Sequence, residues 1–162
     1  MAAVEFISHS ADETIAMGRD LARRLAPPVL VLLSGELGSG KTTLTKGIIS
    51  GLGAAREEDV TSPTFNLMHV FGNPAAGSAG SGGRHAKVFH VDLYRVETPH
   101  DFETLGLEDV FADPAIVIIE WPERFALRND WPRVEVRLEH LAGETRRVSI
   151  DNDAAGAGLP RL

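Results

Sequence analysis

The residues Gly35-Glu36-Leu37-Gly38-Ser39-Gly40-Lys41-Thr42 follow the spacing G-x-x-x-x-G-K-[ST], a pattern suited to holding phosphate. Glycines let the backbone curl until successive N–H groups point inward, and a helix opening at Lys41 would add the positive end of its dipole. In such a loop the Lys41 ammonium reaches the β- and γ-phosphates, and the Thr42 hydroxyl can ligate Mg²⁺. The loop needs a strand before it and a helix after it. Val29-Leu30-Val31-Leu32-Leu33 reads as a buried strand, and Lys41 to about Leu52 as a helix with Leu44, Ile48, Ile49 and Leu52 turned inward. Gly51 and Gly53 mark its stop.

Hydrolysis requires further carboxylates and a means of placing water. Glu120 ends a second apolar run, Ala115-Ile116-Val117-Ile118-Ile119, and Asp92 ends the strand-like stretch Lys87–Val91. Both would project at the carboxyl edge of a sheet, where the phosphate loop also lies. Glu120 suits the acid that holds Mg²⁺ through its water shell, and Asp92 suits a general base or a positioner of the attacking water. Between helix and strand, Thr61-Ser62-Pro63-Thr64-Phe65 can approach a terminal phosphate. There Ser62 or Thr64 can sense that phosphate or bind Mg²⁺, with Pro63 stiffening and Phe65 packing, and the same residues equally suit a capped turn leading into a strand. His90 shares a strand face with Asp92 and is read as a core histidine able to steer that carboxylate. Trp121 is read as a packing anchor.

Other chemistries are poorly served. The chain has 162 residues, no cysteine and six histidines without metal-ligand spacing, so thiolate sites are excluded and zinc is not expected. No Ser-His-Asp or thiol nucleophile arrangement is legible. Formal charge is −7, with 16 basic and 23 acidic residues, opposite to a surface that grips nucleic acid. Thirteen of the basic residues are arginines, and the pairs Arg23-Arg24 and Arg146-Arg147 are read as solvated surface. No apolar run approaches the ~20 residues of a membrane span. The N-terminus shows neither a basic start nor an apolar signal core, so a cytoplasmic protein without membrane partners is expected.

The remaining elements frame this chemistry. Ser10-Ala11-Asp12-Glu13 reads as a capping box opening a helix with Ile15, Gly18, Leu21, Ala22 and Leu25 at helical spacing, ended by Pro27-Pro28. Phe65–Phe71 and 87–91 read as two strands, joined by a glycine-serine tip at 72–83, extending to about 86, that is expected to be flexible and dispensable. A short helix is expected over His100–Leu105. Arg133–His140 alternates, with Val134, Val136 and Leu138 on one face, and pairs with 146–150 as an antiparallel hairpin. Residues 1–152 are one domain, and 153–162 a disordered tail.

Four segments in order, Gly35–Thr43, Ser62-Pro63-Thr64-Phe65, His90-Val91-Asp92-Leu93-Tyr94-Arg95 and Ile119-Glu120-Trp121-Pro122-Glu123, resemble the bacterial TsaE ATPases of tRNA threonylcarbamoyladenosine (t6A) modification. The resemblance spans nearly the whole chain. It implies an α/β, single-domain P-loop NTPase fold, with a mixed, mainly parallel central sheet flanked by helices and closed by the C-terminal hairpin. It implies ATP and Mg²⁺ as cofactors, weak intrinsic ATPase activity, and the proteins TsaD and TsaB as partners. Contact with tRNA would come only through that complex, which modifies adenosine 37. Carried onto this chain, the nucleotide is held by Glu36, Leu37, Gly38, Ser39, Gly40, Lys41, Thr42 and Thr43, with Thr14 and Thr64 nearby. Lys41, Asp92 and Glu120 are catalytic, and Thr42 and Glu120 serve the metal. Ser39 stands where the family often has alanine, a change expected to be neutral, and the tip at 72–83 is longer than usual.

A small-molecule kinase is the rival reading, because Arg124, Arg128 and Arg133 can imitate a phosphoryl-clamping lid. A pure ATP-gated assembly module is a third. A regulatory GTPase is not supported, as no N-K-x-D segment occurs.

Overall fold

The computed structural model describes residues 4–63, 67–72, 87–125, 127 and 129–151. Seven strands form one sheet in the order β1-β7-β6-β2-β5-β4-β3. They are β1 (Val4–Ser8), β2 (Val29–Ser34), β3 (Met68–Phe71), β4 (Val88–Asp92), β5 (Ile116–Glu120), β6 (Arg133–Ala142) and β7 (Thr145–Asp151). The parallel character is confined to the centre, where β6, β2, β5 and β4 run together. The outer pairings β1–β7, β7–β6 and β4–β3 are antiparallel. The expected mainly parallel sheet is therefore mixed in equal parts, because β7 and β3 run antiparallel to their neighbours in sequence, β6 and β4, and the first strand, β1, pairs antiparallel with the last, β7.

The centre follows directly from composition. β2 and β5 are continuous runs of β-branched and leucine residues, as strands covered on both faces require. Alternation divides their side chains between two cores. Val29, Val31 and Leu33 join Ile116, Ile118 and Val88 on the face covered by helices α1 (Ala11–Ala22) and α2 (Lys41–Gly51). Leu30, Leu32, Val117, Ile119, Phe89 and Val91 form the opposite face, closed by Phe102, Leu107 and Val110 from the region of the short helices α3 (Pro99–Glu103) and α4 (Leu107–Val110). Each fully buried aliphatic side chain contributes about 1.5–3 kcal/mol.

The Ser10 side chain accepts from the Glu13 N–H at 3.1 Å and caps α1. The Glu13 carboxylate reaches one residue further back than a capping box requires, accepting from the His9 N–H at 3.2 Å. Helix α1 crosses α2 where both lack side chains. A Cβ on Gly47 would lie 2.1 Å from the Ile15 carbonyl oxygen, and one on Gly18 would lie 2.4 Å from that of Leu44. This close crossing seats α2, and hence the loop before it, against the sheet.

Two elements escape the sequence reading. β1 is an edge strand, mostly exposed, and its pairing with β7 supplies what its own pattern lacks. α4 has only four residues and starts from Gly106 in the left-handed region. The tip residues 73–86 and the tail 152–162 lie outside the described residues.

Candidate functional site

The link from β2 to α2 is a tight glycine-rich loop. Gly35, Gly38 and Gly40 have φ of +148°, +78° and +107°, conformations that side chains disfavour. Gly35 is also sterically fixed, since a Cβ there would lie 2.5 Å from the Leu138 carbonyl oxygen on β6. Lys41 opens α2 with its side chain folded back over the loop. Its Nζ donates to the carbonyls of Gly35 at 2.5 Å and Glu36 at 2.9 Å, and to Ser39 Oγ at 3.4 Å. The Ser39 side chain, expected to be neutral, thus takes part in holding the lysine. Burial pushes the Lys41 ammonium below the usual lysine range, opposed by the charges of Glu120, Asp92 and Glu123.

The acids arrive from adjacent strands. In the β4–β5 register Asp92 lies opposite Glu120, so both reach the edge that carries the loop. Glu120 is buried, and its Oε2 accepts from the Thr42 hydroxyl at 3.4 Å. The same oxygen is 2.6 Å from His90 Nε2. Because a carboxylate only accepts, this contact places the imidazole proton on Nε2. His90 therefore engages Glu120, not Asp92 as its strand position suggested. Its Nδ1 is buried without a partner among the described residues, which costs about 1–3 kcal/mol. Both Asp92 oxygens are occupied: Oδ2 accepts from Ser62 Oγ at 3.0 Å and Oδ1 from the Tyr94 N–H at 2.9 Å.

These groups surround a cavity of about 550 Å³, within the size range of small-molecule sites. Its lining includes Leu37, Gly38, Gly40, Lys41, Thr42 and Thr43 from the loop and helix, and Asp92 and Glu120 from the strands. Glu36 contributes its carbonyl to Lys41, and Ser39 is buried beneath the loop. Thr14 does not line the cavity. Its hydroxyl is buried, sharing a 2.7 Å hydrogen bond with Ser8 and donating to the Ser10 carbonyl at 3.2 Å. Thr64 and Phe65 lie outside the described residues.

Several cavity residues were read as structural or not singled out. Trp121 does more than pack. It adopts φ 61°, ψ 48° directly after Glu120, and a bulky side chain in that region costs roughly 1–2 kcal/mol. Its ring lies 4.4 Å from Lys41 Nζ and 4.9 Å from the Tyr94 ring, which in turn faces Arg124 at 5.4 Å. Arg146, read as solvated surface, instead lines the cavity and donates to the Gly38 carbonyl at 3.2 Å. The β6–β7 hairpin carries it there, bracing its guanidinium on the Gly143 and Thr145 carbonyls. Of the lid arginines, Arg133 pairs with Leu30 at the opposite end of the sheet and donates to the Leu127 and Asn129 carbonyls. It cannot clamp a phosphoryl group here. Arg128 lies outside the described residues.

Among the described residues no cluster of three His, Asp or Glu side chains could by itself hold a metal ion. The Thr42 hydroxyl and Glu120 carboxylate nevertheless converge on one point beside the glycine loop, and these hard oxygen donors fit Mg²⁺ bound with a polyphosphate. The fold and site define an α/β protein with a glycine-loop cavity at the carboxyl edge of parallel strands. Residues 8–148 match the family model for the threonylcarbamoyl adenosine biosynthesis protein TsaE. The protein of Treponema pallidum named tRNA threonylcarbamoyladenosine biosynthesis protein TsaE is 33% identical over 144 residues, covering 89% of this chain and 97% of that protein. The Streptomyces coelicolor protein of the same name is 38% identical over 130 residues, 80% of each chain. The crystal structure of Bacillus subtilis YdiB shares the fold, with a TM-score of 0.64 at 23% identity, covering 93% of this chain and 86% of that one. The chain belongs to the TsaE family.

Proposed function

We propose that this chain is a Mg²⁺-dependent ATPase, slow when alone, that serves t6A formation on tRNA adenosine 37 together with TsaD and TsaB. The observation that carries the reading is the convergence of Lys41, Thr42, Glu120 and Asp92 on one cavity beside a glycine loop. The names of its relatives supply the pathway.

In this reading the triphosphate lies along the loop amides and the N-terminus of α2. Lys41 leaves the Gly35 and Glu36 carbonyls for the phosphates, and its ammonium neutralises charge that develops on them. Thr42 and Glu120 would hold Mg²⁺, which when bound offsets charge on the β- and γ-phosphate oxygens. Asp92 accepts a hydrogen bond or proton from water once Ser62 releases Oδ2. The Ser62 segment thereby couples the loop at 61–63 to the hydrolytic step. Slow unaided turnover, with a partner completing the site, is part of this reading.

The deciding experiment measures ATP hydrolysis with Mg²⁺, alone and with purified TsaD and TsaB, alongside t6A formation on unmodified tRNA. Partner-stimulated turnover with t6A product is expected. ATP binding with neither stimulation nor t6A product would overturn the reading.

A further inference from the structure

His90 does not line the cavity, but its partner Glu120 does. Alternation along β4 sets His90 on the same face as Val88, and along β5 it sets Glu120 with Ile116 and Ile118, beneath α2. His90 is fully buried and Glu120 nearly so, with relative exposures of 0% and 3%. An aliphatic side chain would fill this place without leaving Nδ1 unpaired. The only polar contact of the imidazole among the described residues is the 2.6 Å bond to Glu120 Oε2, the oxygen that also meets the Thr42 hydroxyl.

We propose that His90 is a positioning residue for the metal site, fixing the Glu120 carboxylate through Nε2–H so that it is already oriented toward Thr42 before metal and nucleotide arrive. The inference rests on the reading of Glu120 as the metal-linked acid. A carboxylate on a flexible side chain samples several rotamers, and a buried donor at 2.6 Å removes that freedom. Asp92 is held differently, by Ser62 and a backbone amide. Each acid therefore has its own anchor.

The test compares the affinity of a non-hydrolysable ATP analogue with and without Mn²⁺, so that the ratio of the two isolates the contribution of the metal. In His90→Leu the metal-free affinity should stay within about threefold of the parent, while the gain from Mn²⁺ falls by roughly 10- to 100-fold. His90→Gln, whose amide can occupy the Nε2 position, should retain most of the gain. His90→Asn, whose amide stops short, should lose it and remains informative if the leucine variant fails to fold. A parent protein that binds the analogue but gains nothing from Mn²⁺ overturns the metal reading itself. A parental gain that survives in both His90→Asn and His90→Leu overturns the positioning role alone.

Discussion

Replacing Lys41 by alanine should separate phosphate binding from folding. In the free protein the ammonium spends its hydrogen bonds on the Gly35 and Glu36 carbonyls and the Ser39 hydroxyl, and rests on the Trp121 ring. Binding exchanges these contacts for bonds to phosphate oxygens, each worth about 1.5–3 kcal/mol when charge-assisted. Two such bonds gained, less the carbonyl and ring contacts given up, leave roughly 2–4 kcal/mol, or about 30- to 1,000-fold in affinity. Stability should respond far less. Burial already disfavours the charged lysine, and truncation leaves its carbonyl partners beside a cavity that water can enter. A change within about 1 kcal/mol, a shift of roughly 2–4 °C in Tm, is expected. Titration with a fluorescent ATP analogue and thermal denaturation followed by circular dichroism measure the two effects. Binding within about threefold of the parent would refute the phosphate role, since that is below ~1 kcal/mol. A much larger loss of Tm would make the ammonium a structural group.

Lys41 also sets a pH dependence. Its proton is held less tightly than the 10.5 usual for lysine in the free protein, and an anionic triphosphate tightens it, so binding takes up a proton. ATP affinity should therefore fall as pH rises through the depressed pKa, and calorimetry in buffers of different ionisation enthalpy should show the uptake, with Lys41→Arg abolishing it. Gly47→Ala places a methyl group 2.1 Å from the Ile15 carbonyl oxygen. Forcing α1 and α2 apart should lower stability by about 1–3 kcal/mol in urea denaturation, and an unchanged midpoint would contradict the tight crossing. Ser62→Ala frees Asp92 Oδ2 while Tyr94 still holds Oδ1. Basal ATP turnover should rise by roughly two- to tenfold, less than the ~10²–10⁴ attributed to general base catalysis itself, and a fall would mean that Ser62 places the carboxylate.

What could be read from the sequence is what local pattern and strand order enforce. The glycine loop announces itself because glycine adopts φ of +78° and +107°, as at Gly38 and Gly40, without the steric cost a side chain carries. Glu120 and Asp92 were legible because each ends a strand buried between two layers, so its side chain must emerge at the loop-bearing edge. Arg146 was not legible, since nothing in Arg146-Arg147 says which arginine turns inward. That depends on β7 pairing with β6, which sets Arg146 opposite His140 and beside Gly38, while Arg147 faces Glu139 and Glu5. Trp121 packs against the core as expected, but its second role was hidden for a related reason. Its left-handed backbone, which no local residue type advertises, also turns the ring toward Lys41.

His90 shows where such a reading must fail. Its position two residues before Asp92 made that acid the natural partner, because alternation sets both on one face. A parallel neighbour offers a second acid on the same face, however, and β5 brings Glu120 opposite Asp92, one pleat beyond His90. Asp92 meanwhile finds its own donors in Ser62 and the Tyr94 amide. The choice between two carboxylates was thus decided by inter-strand register and by a loop thirty residues earlier in the chain, and neither is encoded near His90. The same division gives the site its logic. The acid assigned to the metal is locked from within the core, whereas the acid assigned to water is tied to a surface loop that a ligand or partner can pull away.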